Sequence, residues 1–177
     1  MSINEQKTRG INFTHIREFI GYKWGQDGLD IYNKHGNFKF DNIYEDKLYP
    51  FEDYVGALSN VQDIFKDDKF AYNLGWHRGR NLLLVNNSLD NRLNILDKVA
   101  SSWKKFNNFG EVSIKKHDET SVSVVISNYD SHPLYCERMR GFFAGLVCGD
   151  LKGSCNVKEK NCVCDGKTDC EFLIQLE

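Results

Sequence analysis

The sequence predicts an α+β domain in which an antiparallel sheet of about four strands is covered by helices. Three observations carry that expectation. Across residues 12–106 apolar side chains recur at three- and four-residue intervals, the period of amphipathic helices. From Glu111 to Ile126 the pattern changes to period two, the mark of half-buried strands. After a helix that opens at Pro133, Asn156–Val163 and Glu171–Leu176 read as a final hairpin around the turn cluster Asp165-Gly166-Lys167-Thr168-Asp169.

The composition fits one domain spanning residues 1–177, with 41% hydrophobic residues to build a core and 27% charged residues to solvate it. A net charge of -2, with no evidently basic face, excludes a nucleic-acid partner engaged by charge alone. No apolar run is long enough to span a bilayer. The polar opening Met1-Ser2-Ile3-Asn4-Glu5-Gln6-Lys7 is no secretory signal, so a cytoplasmic location is expected.

Residues 1–11 are polar and read as a disordered or strap-like start. Asn12 or Thr14 can cap a first helix with Ile16, Phe19 and Ile20 on one side. Gly25 or Gly28 should break it, and Gly36 should stop it. Residues 37–50 read as a connection with room for a short strand. Phe51–Phe65 is a second helix, with Val55, Leu58 and Phe65 turned inward, and the charged break Lys66-Asp67-Asp68-Lys69 separates it from a third at Phe70–Leu84. That third helix holds Gly75 and Gly79, a spacing that close helix packing explains as well as ligand binding does. Asn87-Ser88 then cap a helix whose Leu89, Leu93, Leu96, Val99, Ala100, Trp103 and Phe106 trace one stripe before Gly110 ends it. In the strands that follow, Val112 and Ile114 face the same core as Val122, Val124 and Ile126.

Asp130-Ser131-His132-Pro133 opens the last helix, with Ser131 or Asp130 as its cap and Pro133 in the first turn. Met139, Phe142, Phe143, Leu146 and Val147 form its apolar stripe. Gly141 and Gly145 mark a surface approached closely by another backbone or by a ligand. All six cysteines lie between residues 136 and 170. Cys136, Glu159, Cys162 and Cys170 form a candidate four-ligand set for tetrahedral zinc, brought together from a helix and both arms of a hairpin. Strand alternation opposes this set, because Glu159 and Cys162 should point to opposite faces. A bulge near Lys160-Asn161 would remove the objection. Cys155 and Cys164 remain rival ligands, and Cys148 reads as a small core side chain. A disulfide framework among Cys155, Cys162, Cys164 and Cys170 is the competing reading.

The cysteine followed by Gly-Phe-Phe-x-Gly-Leu on a helix, then Glu-x-x-Cys and a Gly-x-x-x-Cys-x-Phe hairpin, resembles the 4-vinyl reductase domain family. The motif covers about forty residues and implies a fold similar to the ligand-binding domain of nitric-oxide signalling and Golgi transport. It also implies a zinc ion on Cys136, Glu159, Cys162 and Cys170, as in the aromatic-sensor members of that family. The related haem sensors carry a proximal His and a Tyr-x-Ser-x-Arg motif, which this sequence lacks, so haem is not expected.

Catalysis is not expected either. The five histidines are scattered, Pro133 places His132 outside the helix that carries Cys136, and no Gly-x-Gly-x-x-Gly follows a strand. The expected function is binding or sensing of a small apolar or aromatic molecule, in a pocket between sheet and helices lined by Trp76, Trp103, Phe142, Phe143 and Val157. The zinc would be structural, and the output would pass through a homodimer or a partner protein. A dimeric scaffold without ligand and a thiol redox switch are the alternatives.

Overall fold

The structure, a computed structural model, describes residues 3–86, 94–149 and 155–176. Its helices are α1 (Ile11–His35), α2 (Phe51–Phe65), α3 (Phe70–Asn86), α4 (Asn94–Phe106) and α5 (Pro133–Phe143), the last continued by a π-helical turn over Ala144–Cys148. A short ribbon pairs β1 (Lys7–Arg9) with β2 (Leu48–Pro50). The main sheet holds β3 (Glu111–Lys116), β4 (Ser121–Ser127), β5 (Cys155–Asn161) and β6 (Asp169–Leu176). Its order is β3-β4-β6-β5, with each neighbouring pair antiparallel. This is the α+β plan that the change of period predicts. The expected cap at Asn87-Ser88 and the stripe residues Leu89 and Leu93 lie outside the described residues.

The N-terminal segment differs from the expected disordered or strap-like start. Ile3–Glu5 form a 3₁₀ turn and β1 takes ladder bonds from β2, while Gln6 and Thr8 are buried, so residues polar in sequence gain order from backbone pairing and from burial together. α1 begins after Gly10, not at a side-chain cap. Asn12 instead donates from Nδ2 to Thr8 Oγ1 at 2.6 Å. The expected break falls at Gly25, where φ of 69° and ψ of -162° suit only glycine.

The centre is apolar and aromatic. Val122, Val124, Ile126, Phe172 and Ile174 are fully buried on the sheet. Phe143 of α5 packs on Phe172 with ring centroids 5.4 Å apart. Between sheet and helices Phe51 meets both Phe109 and Tyr135 at 4.8 Å, and Phe109 stacks on Tyr129 at 5.9 Å. The Trp103 indole N–H donates to Phe109 O at 2.8 Å, which satisfies the one polar atom of that buried ring.

α3 and α5 run side by side in the same direction and touch through glycines. A Cβ on Gly141 or Gly145 would overlap the carbonyl oxygen of Tyr72 or Trp76, and one on Gly75 or Gly79 that of Arg138 or Phe142. Of the two explanations open in the sequence, close backbone packing accounts for all four. It fixes the position of α5, and α5 positions the cysteine cluster.

Candidate metal centre

α5 begins at a sharp corner. His132 is its N-cap in extended backbone, and its Nδ1 accepts from the Leu134 N–H at 3.2 Å, while Pro133 fills the first turn. The expected caps Ser131 and Asp130 do not serve that role. Ser131 Oγ instead lies 3.0 Å from Cys136 Sγ.

The final hairpin carries the bulge that the sequence requires. Glu159 pairs with Phe172 and Asn161 with Glu171, so Lys160 is an extra residue on β5. The register shift turns Glu159 and Cys162 toward one side. β5 ends at Asn161, earlier than expected, and a 3₁₀ turn over Val163–Asp165 with Gly166 at φ of 78° returns the chain to β6. Cys170, in register with Ile126 of β4, is fully buried.

Cys136, Glu159, Cys162 and Cys170 offer ligand atoms that all lie within 4.8 Å of one another. The sulfur separations are 3.4 Å for Cys136–Cys162, 3.7 Å for Cys136–Cys170 and 3.8 Å for Cys162–Cys170. Thiolates at the usual Zn–S distance of about 2.3 Å in a tetrahedron stand about 3.8 Å apart. The cluster therefore has the edge lengths of a tetrahedral thiolate site. Glu159 could supply the fourth corner, and its buried Oε1 has no hydrogen-bond partner among the described residues. The Val163 N–H donates to Cys170 Sγ at 3.3 Å, an orienting bond of the kind that outer groups give to metal ligands.

The electrostatics of the protein alone are unfavourable here. The hydrogen bond to Cys170, followed by burial, raises Cys136 far above the ordinary thiol range, and accepting that bond lowers Cys170 to about 6. Burial pushes Cys162 up to about 12 and raises Glu159. Three thiols and a carboxylate this close cannot all ionise unless a cation joins them. Tyr129, beside Cys170 and Cys136, is held as the neutral phenol, chiefly by burial.

The rival ligands separate cleanly. Cys155 is bonded to Cys148, with Cα atoms 5.3 Å apart, which corrects the expectation that Cys148 is a plain core thiol and removes Cys155 from the ligand set. The π-helical turn after α5 carries Cys148 to the start of β5. Cys164 is exposed on the turn, 4.0 Å from Cys136 Sγ, outside the four. Ser131 and Tyr129 were not indicated by sequence spacing, because their approach depends on the corner before α5.

The candidate pocket residues divide between two places. Trp76 and Val157 line a groove of about 560 Å³ with Tyr72, Arg80 and Arg140. Trp103 and Phe142 line a separate cavity of about 100 Å³ between α1, α3, α4 and α5. Phe143 is fully buried in the core.

No family model matches the chain, and no curated protein matches it. Solved structures do. An H-NOX protein from S. oneidensis in the Fe(II)NO ligation state superimposes with a TM-score of 0.70 at 13% identity, over 96% of this chain and 99% of that one. The H-NOX from Shewanella woodyi, bound to IWP-051 in the Fe(II)CO state, gives 0.67 at 15% identity over 95% and 94%. The unliganded Fe(II) H-NOX from K. algicida gives 0.65 at 15% identity over 96% of each chain. At these identities the likeness speaks for the fold alone.

Proposed function

We propose that this chain is a non-enzymatic small-molecule sensor domain whose final hairpin is fastened to α5 by a structural zinc ion. The observation that carries the zinc is the cluster itself: three sulfurs at tetrahedral edge lengths beside an unpartnered carboxylate oxygen. Three soft thiolates and one carboxylate favour zinc over harder ions. Four protein ligands leave no position for a reacting water, so the role is to hold α5, the bulged strand and β6 together. The same four residues carry the ligand set implied by the 4-vinyl reductase resemblance. The sensing role is supported by the shared H-NOX architecture and by the two cavities beside α5.

The Fe(II) ligation of the H-NOX neighbours does not carry over to these residues. The cavity of about 100 Å³ is well below the roughly 300–1,000 Å³ of ordinary small-molecule pockets. The space between helices and sheet is filled by Phe51, Phe109, Tyr129 and Tyr135 in mutual contact. Among the described residues the larger groove has no histidine in its lining. Of a Tyr-x-Ser-x-Arg motif only Tyr129 and Ser131 are present, with Pro133 where the arginine would stand. Haemin added to the protein should keep the spectrum of the free compound, and a sharp Soret band would overturn this.

Metal content of protein purified without chelator tests the zinc. About one zinc per chain is expected, lost in Cys136→Ser and Cys170→Ser and kept in Cys164→Ser. A metal-free, fully stable wild type would sink the reading. A thiol switch is the second reading, favoured by the Cys148–Cys155 bond and by Cys164 lying 4.0 Å from Cys136. Peroxide, reduced to water as two ligand thiols join in a disulfide, would then release zinc, and thiol reductant would restore its binding.

A further inference from the structure

The cavity of about 100 Å³ between α1, α3, α4 and α5 holds more positive charge than its lining neutralises. Arg138 is only 7% exposed. Its guanidinium donates to Asn12 Oδ1 at 3.2 Å and, weakly, to the Met139 sulfur at 3.4 Å. Its Nε–H is buried with no acceptor among the described residues. A guanidinium offers five donors, so most of this one's capacity is unspent. Arg78 lines the same cavity, close enough to Arg138 for the two to repel, and Glu18 offsets it in part. His15 adds to a polar lining that also includes Asn12, Ser102 and Asn107, and its Nδ1 is buried and unpartnered among the described residues. Burial first, and then Arg78 and Arg138, lower its pKa to about 3, so it faces the cavity as neutral imidazole.

Buried guanidiniums are costly without a counter-charge, and among the described residues no Asp or Glu lines this cavity. The rest of the lining changes character. One helical turn beyond Arg78 comes Leu82, and one turn beyond Arg138 comes Phe142. Because α3 and α5 run in the same direction, charge gives way to apolar surface on both together. Val99 and Trp103 of α4 add to that surface. The Trp103 N–H is spent on Phe109 O, which leaves the ring to offer apolar contact.

We infer that this cavity binds a small monocarboxylate, its carboxylate between Arg138 and Arg78 and its short tail against Phe142, Val99 and Trp103. The planar guanidinium fork suits a carboxylate. At about 100 Å³ the cavity is small, which favours a short tail. The inference rests on the small-molecule reading above and names its ligand class.

Sodium propionate titrated into zinc-loaded full-length protein, followed by ¹H–¹⁵N NMR at the Trp103 indole, tests it, with propionamide as the neutral control. Saturable movement of that signal by propionate is expected, with the amide at least about tenfold weaker. Arg78→Gln, at a half-buried position, should weaken propionate by about tenfold without changing zinc content. Equal binding of amide and acid would overturn the carboxylate site while leaving a small-molecule cavity. Saturation without movement of Trp103, or no saturation, would overturn it as well. Zinc content and amide dispersion on the same sample distinguish those results from failure of the metal-fastened fold.

Discussion

His15 shows how one buried side chain sets a pH limit on the whole molecule. Unfolded, its imidazole takes a proton near 6.5, whereas in the fold its pKa is lowered to about 3. Between those values the unfolded chain binds the extra proton. The stabilisation is therefore complete above about pH 6.5 and declines as pH falls toward 3, by at most about 1.4 kcal/mol per pH unit. Urea midpoints at pH 7 and pH 5 should show a smaller loss in His15→Gln than in wild type, and an equal loss would contradict the assignment. Residues of the metal cluster were more legible in sequence than this histidine. Glu159 and Cys162 announce themselves by type, and the demand for a bulge between them follows from strand alternation alone. His15 reads only as a polar residue beside the apolar stripe of α1, because Arg78 and Arg138 reach it from two other helices. The Cys148–Cys155 bond is equally silent, since it depends on the π-helical turn that extends α5.

At the scale of elements, the seam of α3 and α5 is the least tolerant contact in the fold. α3, and α5 together with its π-helical continuation, each carry two glycines four residues apart, and each pair admits the backbone of the other. Gly141→Ala drives a methyl into the Tyr72 carbonyl, which cannot yield without moving a helix. A loss of about 3 kcal/mol or more is expected from chemical denaturation of the zinc-loaded protein. Gly56→Ala in α2, where a Cβ would meet nothing within 4 Å, should instead gain about 0.5–1 kcal/mol. Equal effects would refute the seam. Read singly, each glycine pair is ambiguous between packing and ligand binding. Read together they are complementary, but a single sequence does not say that they meet. Helix and strand positions were legible wherever an apolar face drives them. β2 falls in the connection where a short strand was allowed for, but β1 was not legible, because a three-residue strand held by ladder bonds leaves almost no periodic trace.

At the scale of the molecule, the proposed metal would tie elements that the sheet alone leaves loosely held. β4 and β6 are each paired on both sides, whereas β5 is an edge strand interrupted by its bulge. Chelation should raise amide exchange over residues 159–170 well before β3 and β4 respond. Simultaneous loss of protection across the sheet would mean that the ion supports the entire fold. The four-stranded plan and its covering helices were legible from two changes of period. The lining of the two cavities was not. Trp76, Trp103, Phe142, Phe143 and Val157 all read as large apolar groups, and only the packing of α3 against α5 decides which meet a cavity and which fill the core.

The place of β6 has a consequence for how the chain is made. The strand formed from residues 169–176 is an inner one, inserted between β4 and β5. During synthesis the β3–β4 hairpin emerges more than forty residues earlier and must wait with one edge of β4 unpaired. That edge belongs to Ser121-Val122-Ser123-Val124-Val125-Ile126, a short run of high β-propensity without charge or proline. Until residues 169–176 pair with it, that edge is a template for self-association, so any interruption that withholds β6 leaves a sticky ribbon in place of a finished sheet.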